Sequence, residues 1–142
     1  MSTRGLIHFK NMDNQTMLTL YNHHDSYPEG LGRNLVEFLS KGRIGNGMGL
    51  DVQFGKFFNG FDDLVAQTVV FLKGNTVGGV YVELPDSWDM GEEYVYYIQE
   101  LGEKDFQVSY VEPEFGKHVG DSYRKKHEVV LFSTLTNKDV VK

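Results

Sequence analysis

Cysteine is absent from the 142-residue chain. That absence excludes disulfides, thiolate catalysis and cysteine-ligated zinc, and it fits a reducing compartment. Long apolar runs are missing as well, since none approaches the roughly 20 residues that a spanning helix needs. The opening Met1-Ser2-Thr3-Arg4-Gly5 lacks the apolar core of a secretory signal. A cytoplasmic address with no membrane partner is therefore expected. Positive charge is scarce, with 14 Lys and Arg against 20 Asp and Glu and a net charge of −6. Binding to a nucleic-acid backbone normally needs a basic stripe that releases counterions, so nucleic acid is not an expected partner. The acids are also scattered, whereas a DNA mimic needs dense rows of carboxylates.

What is present suits one domain spanning residues 1–142, long enough to bury most of its apolar surface. Eight Tyr and ten Phe supply material for β-sheet cores and, less commonly, for stacking on planar ligands. Residues 5–10 and 16–22 are β-prone runs separated by the turn formers Asn11-Met12-Asp13-Asn14-Gln15, which predicts an N-terminal hairpin. Ser26-Tyr27-Pro28-Glu29 has the form of a capping box, with Ser26 as the cap and Pro28 tolerated in the first turn. Leu31, Leu35, Phe38 and Leu39 then fall on one helical face, so a helix is expected over about 27–41, ending at Gly42.

Segment 42–60 is dense in glycine and reads as a mobile loop. Its Gly45-Asn46-Gly47-Met48-Gly49 run lacks the GxxxxGK[ST] pattern of a phosphate loop. Asn59 as cap, acidic Asp62 and Asp63, and apolar Phe61, Leu64, Val65 and Leu72 predict a second helix over about 60–73. Three β-prone runs follow at 77–84, 94–99 and 106–111, the last two as a hairpin. Residues 112–126, with Pro113, Gly116, Gly120 and the basic Arg124-Lys125-Lys126, read as an exposed loop. Val129-Val130-Leu131-Phe132, apolar on both faces, reads as an interior strand. The sum is an α+β fold, a largely antiparallel sheet of about five to six strands packed by two helices.

The segment with most chemical promise is Asn22-His23-His24-Asp25-Ser26-Tyr27-Pro28-Glu29-Gly30, where a strand passes into a helix. Unpaired backbone N–H groups and the helix dipole favour an anion there. An antiparallel hairpin returns its second strand to the start of its first, which brings Arg4 toward His23. Arg4, His23, Asp25, Ser26 and Tyr27 are thus the candidate ligand-binding residues, a set of donors without an obvious nucleophile. The same residues also suit a plain capped helix with Arg4 paired to Glu29. No metal-ligand spacing appears, and neither a metal nor an organic cofactor is expected.

Ser2-Thr3-Arg4 and His23-His24-Asp25-Ser26-Tyr27-Pro28-Glu29-Gly30-Leu31-Gly32 resemble a family of small, uncharacterised bacteriophage accessory proteins. Those proteins open with Ser/Ala-Thr-Arg and carry a His-x-Asp-(Ser/Gly)-Tyr-Pro-x-Gly-(Leu/Val)-Gly motif. The likeness covers about the first quarter of the chain, with a fainter echo in Glu93-Tyr94-Val95-Tyr96-Tyr97. Many relatives have Trp at the place of His24, which implies that His23 and Asp25 matter more. The resemblance implies a protein acting in an infected bacterial cell and carries no established activity.

Three functions follow as expectations. The first is a counter-defence protein that binds a small anionic ligand, such as a nucleotide-derived one, through Arg4, His23, Asp25, Ser26 and Tyr27. The second is a hydrolase or phosphodiesterase with His23 as general base and Asp25 orienting it. The third is an inhibitor that blocks a host protein with the glycine-rich loop and the aromatic sheet. A homo-oligomer is compatible with all three.

Overall fold

Segment 11–15 folds the chain back on itself because the Asn11 carboxamide oxygen accepts the N–H groups of Asp13 and Gln15. The flanking runs become β1 (Gly5–Lys10) and β2 (Thr16–Asn22), paired antiparallel with Ile7 opposite Leu20. The computed structural model describes residues 2–47, 49 and 52–136. Met48, part of the glycine run, lies outside the described residues.

Beyond the hairpin come a wide π-type turn (Pro28–Gly32), α1 (Arg33–Leu39), β3 (Arg43–Gly45) and β4 (Phe57–Asn59). Then follow α2 (Gly60–Lys73), β5 (Val80–Glu83), β6 (Tyr94–Glu100), β7 (Phe106–Val111), α3 (Asp121–His127) and β8 (Val129–Ser133). Six strands form one sheet in the order β5-β2-β1-β6-β7-β8, antiparallel except where β1 runs parallel to β6. The α+β class holds. Among the described residues no helix is long and apolar enough to cross a membrane.

Alternation along the strands gives the sheet two different faces. Ile7, Phe9, Leu20, Tyr96, Ile98, Phe106 and Val108 point one way and pack beneath Leu35 and Leu39 of α1 and Phe61 and Leu64 of α2. On the other face Leu6, Val95, Tyr97 and Val111 form a smaller cluster, covered by Met90, Val119 and Tyr123. That face also carries His8, Lys10 and Thr19, all buried, in the middle of the sheet. Strand β1 is therefore buried along its whole length.

Several expectations are corrected. Ser26 does not cap α1: its hydroxyl accepts from the Asn22 carboxamide at 2.8 Å and donates to the Asn22 carbonyl at 3.2 Å. It turns back toward β2 because the Ser26 N–H is already bonded to the Thr3 carbonyl, which holds the residue inside the sheet end. The helix entry is the π-type turn instead, closed by Gly30 N–H on Tyr27 O and Leu31 N–H on Asp25 O. Asn59 likewise makes no cap bond with its side chain, which accepts the Gly47 N–H. Segment 42–60 is not featureless, since β3 and β4 pair in parallel. Gly42 and Gly45 permit this, because a Cβ at either would run into the ring of Phe58 or Phe57.

Segment 112–126 runs into α3, whose Arg124 is withdrawn from solvent. Its guanidinium stacks 3.9 Å from the Tyr97 ring centroid and bonds to Glu128 and Gln99. Strand β8 is an edge strand, not an interior one, with Val129 and Val130 half exposed. Its apolar pattern on both faces has another origin. A bulge opposite Val108 and Ser109 places an extra residue in β8, so neighbouring Leu131 and Phe132 both pack against the core. The expected strand at 77–84 shortens to β5, with Gly78 and Gly79 at φ 74° and 80° forming the turn before it.

Ser26→Ala should lower stability by roughly 1–3 kcal/mol, as expected when buried polar groups lose a partner. In a double-mutant cycle read by urea midpoints, Ser26 should couple to Asn22 and not to Glu29. Coupling to Glu29 alone would restore the capping box.

Candidate functional site

The strand-to-helix segment is held by bonds within itself and by bonds to Ser2, Thr3, Tyr21, Gly79 and Tyr96. Asp25 adopts φ 56°, a conformation that Asp tolerates better than most side chains, and so reverses the chain after β2. Gly30 is required there, since a Cβ would lie 2.5 Å from the Asp25 carbonyl. The His23 Nδ1 lies 2.7 Å from the Tyr21 hydroxyl, His24 Nδ1 lies 3.1 Å from the Ser2 hydroxyl, and Tyr27 donates weakly to Asp25 at 3.5 Å. Ser26 is completely buried, so its hydroxyl cannot face a ligand.

The hairpin does bring the two backbones together, as the Ser26 to Thr3 bond shows, but the Arg4 side chain takes another course. Its guanidinium lies against Gly91, where a Cβ would sit 2.7 Å from Nη1, and its carbonyl accepts the Glu93 N–H. Among the described residues no bond or ion pair joins Arg4 to His23 or Asp25, and none joins His23 to Asp25. None of the cavities lined by Arg43, Trp88, His8 or Phe38 includes these residues in its lining.

A better-formed concavity lies at the glycine-rich segment. A cavity of about 600 Å³ is lined by Arg43, Lys56 and Lys104, with Phe57 and the backbone of Gly45 and Gly47. Among the described residues no carboxylate lines it, and the two ion pairs of those residues, Lys117–Glu114 and Arg124–Glu128, lie elsewhere and involve none of its cations. Arg43 is set by β3 and lies over the Phe57 ring, 5.0 Å from its centroid.

Helix α2 holds the walls in place. The Gln67 carboxamide accepts Gly55 N–H at 2.7 Å and donates to Phe57 O at 2.9 Å and to Asp63 at 2.8 Å. Asp63 in turn accepts Asn59 N–H, and the Asn59 side chain accepts Gly47 N–H. The sequence did not reveal Arg43, Lys56 and Lys104 as a group because they come from β3, the turn before β4 and the bend between β6 and β7. The available signal was a glycine run flanked by Arg43 and Lys56 in an otherwise acidic chain.

A second polar concavity, of about 340 Å³, opens on the other face of the sheet over His8, Lys10 and Tyr97. Burial pushes the His8 imidazole down to about 4, with Asp86 opposing and Lys10 reinforcing the shift. Burial also lowers Lys10, with Arg124 adding to the effect, and burial pushes the Tyr97 hydroxyl well up. No group of three or more His, Asp or Glu able to hold a metal occurs among the described residues.

His8 gives a pH-dependent test. Its folded value of about 4 lies below its ordinary 6.5, so the unfolded chain takes up the proton first as pH falls. Stability should therefore be full above pH 6.5 and decline toward pH 4. Replacing His8 with Gln should flatten the decline by on the order of 3 kcal/mol relative to neutral pH. Identical pH profiles of urea stability for both proteins would contradict a buried neutral His8.

No family model, curated protein or solved structure matches this chain.

Proposed function

We propose that this chain binds a small anionic ligand, and that the cavity between Arg43, Lys56 and Lys104 receives it. The observation that carries the reading is one of charge. In a protein of net charge −6, three cations without ion-pair partners among the described residues surround one concavity with no carboxylate in its described lining. Like charges gathered this way repel one another, and an anion relieves the repulsion. The Arg43 guanidinium, which lies over the Phe57 ring, suits a bidentate hold on phosphate.

A nucleotide-derived ligand fits the surroundings best. Lys56 also lines an adjoining groove with Glu37, Lys41, Phe38, Phe54 and Phe71, in which Phe38 stacks on Phe71 and Phe54 is 56% exposed. A planar base can stack there while its phosphates reach the cations. The bacteriophage resemblance of segment 22–32 supports the wider reading, an accessory protein that sequesters such a molecule in an infected cell. A hydrolase built on His23 and Asp25 has less support, since Tyr21 holds His23 and no bond joins it to Asp25.

Calorimetric titration with pyrophosphate and with a dinucleotide tests the reading. Binding should weaken steeply with salt. Arg43→Ala, Lys56→Ala and Lys104→Ala should each weaken it by roughly threefold to tenfold. Arg4→Ala should leave it unchanged. Loss of binding in Arg4→Ala, with the three cation variants unaffected, would return the site to the strand-to-helix segment. Absence of binding by either anion would favour the protein-blocking reading.

A further inference from the structure

We propose that the cleft over His8 and Lys10 is a separate binding site for a small zwitterion of the amino-acid class. The argument starts from the protons. The Thr19 hydroxyl oxygen accepts the Asp86 N–H at 3.1 Å, so its own hydrogen is directed to His8 Nδ1, 2.7 Å away and its one acceptor among the described residues. That bond fixes the tautomer: the neutral imidazole carries its hydrogen on Nε2. Among the described residues Nε2 makes no hydrogen bond, yet no buried side-chain N or O lacks a partner there. Nε2 therefore opens to the cleft as a donor.

Lys10 reaches the same space. It is only 8% exposed, its ammonium lies 5.9 Å from the Tyr97 ring centroid, and no carboxylate stands within ion-pair distance among the described residues. Arg124, on the same ring, is already matched by Glu128. The Lys10 stem is withdrawn into the sheet, while its ammonium, which has no hydrogen-bond partner among the described residues, keeps access to the cleft. The floor of the cleft thus offers an N–H and an ammonium, the complement of a carboxylate.

The lining then changes sign. Asp86 and Asp121 enter from the segments that cover this face, Asp86 held by the Thr16 hydroxyl. A simple anion would meet the floor and be repelled by these two. A molecule with a carboxylate at one end and an ammonium at the other satisfies both. A volume of about 340 Å³ lies at the small end of ligand pockets, as such a molecule requires.

The experiment is an NMR titration of the whole chain with unbranched amino acids from glycine to ε-aminocaproate, each beside the matching carboxylate and the matching amine. One length should shift the His8, Tyr97 and Gly120 amides and bind roughly tenfold more tightly than either single-charge analogue. Lys10→Met should abolish that binding. Asp121→Asn, an exposed change that spares the fold, should narrow the gap between the zwitterion and its carboxylate analogue. The proposal fails if no member of the series moves those amides, or if the single-charge analogues bind as tightly as the zwitterions. Neither failure touches the pyrophosphate result, which is read at Arg43, Lys56 and Lys104.

Discussion

The Ser26 backbone and side chain join three parts of the sheet at one buried point. Its N–H donates to Thr3 just before β1, its carbonyl accepts the Tyr96 hydroxyl from β6 at 2.7 Å, and its hydroxyl is shared with Asn22 at the end of β2. The close approach demands a glycine opposite, since a Cβ at Gly5 would lie 2.7 Å from the Ser26 Cβ. Buried polar groups with every partner in place fix one geometry and penalise others. Because Tyr96 is itself buried beneath the helices, this knot sets where the chain leaves the sheet and hence where α1 lies. Much of the His-x-Asp-Ser-Tyr-Pro segment is accounted for by the turn it builds.

With α1 and α2 committed to one face, the other face is left to segment 84–93 and to segment 112–127 with its short helix α3, whose apolar contribution is Met90, Val119 and Tyr123. The polar residues His8 and Lys10 of β1 can persist there because each has a neighbour of suitable chemistry: Thr19 for His8, the Tyr97 ring for Lys10. The cationic cavity arises differently. It lies outside the large sheet, on a two-stranded parallel pair that would not stand alone, and α2 supports it through Gln67 and Asp63. One chain thus carries two polar concavities with different supports.

Much of the fold was legible in the sequence. The first hairpin and α2 fall at the expected residues, and β6 and β7 within one, because turn formers bound them and their apolar period is regular. The shorter elements were not. Strands β3 and β4 are three residues each and depend on ring contacts across Gly42 and Gly45. Helix α3 has no apolar stripe and is held by Tyr123 on the Glu112 carbonyl and by Arg124 on Tyr97. Ser26 carried a true capping signature, but a tertiary bond to Thr3 took precedence. Of the expected site residues, the backbone neighbours were readable from hairpin topology, whereas the course of the Arg4 side chain depended on Gly91, 87 positions away. His8 and Lys10 were hidden because polar residues at alternate strand positions look like a solvated face.

If the Ser26 knot governs the sheet end, its amide should open only when the sheet does. Native-state hydrogen exchange measures this directly. The account predicts that the Ser26 amide exchanges with the same opening free energy and denaturant dependence as the Ile7 and Tyr96 amides at the centre of the sheet. Exchange of Ser26 at the rate of exposed turn amides such as Asp13, while Ile7 and Tyr96 stay protected, would contradict it.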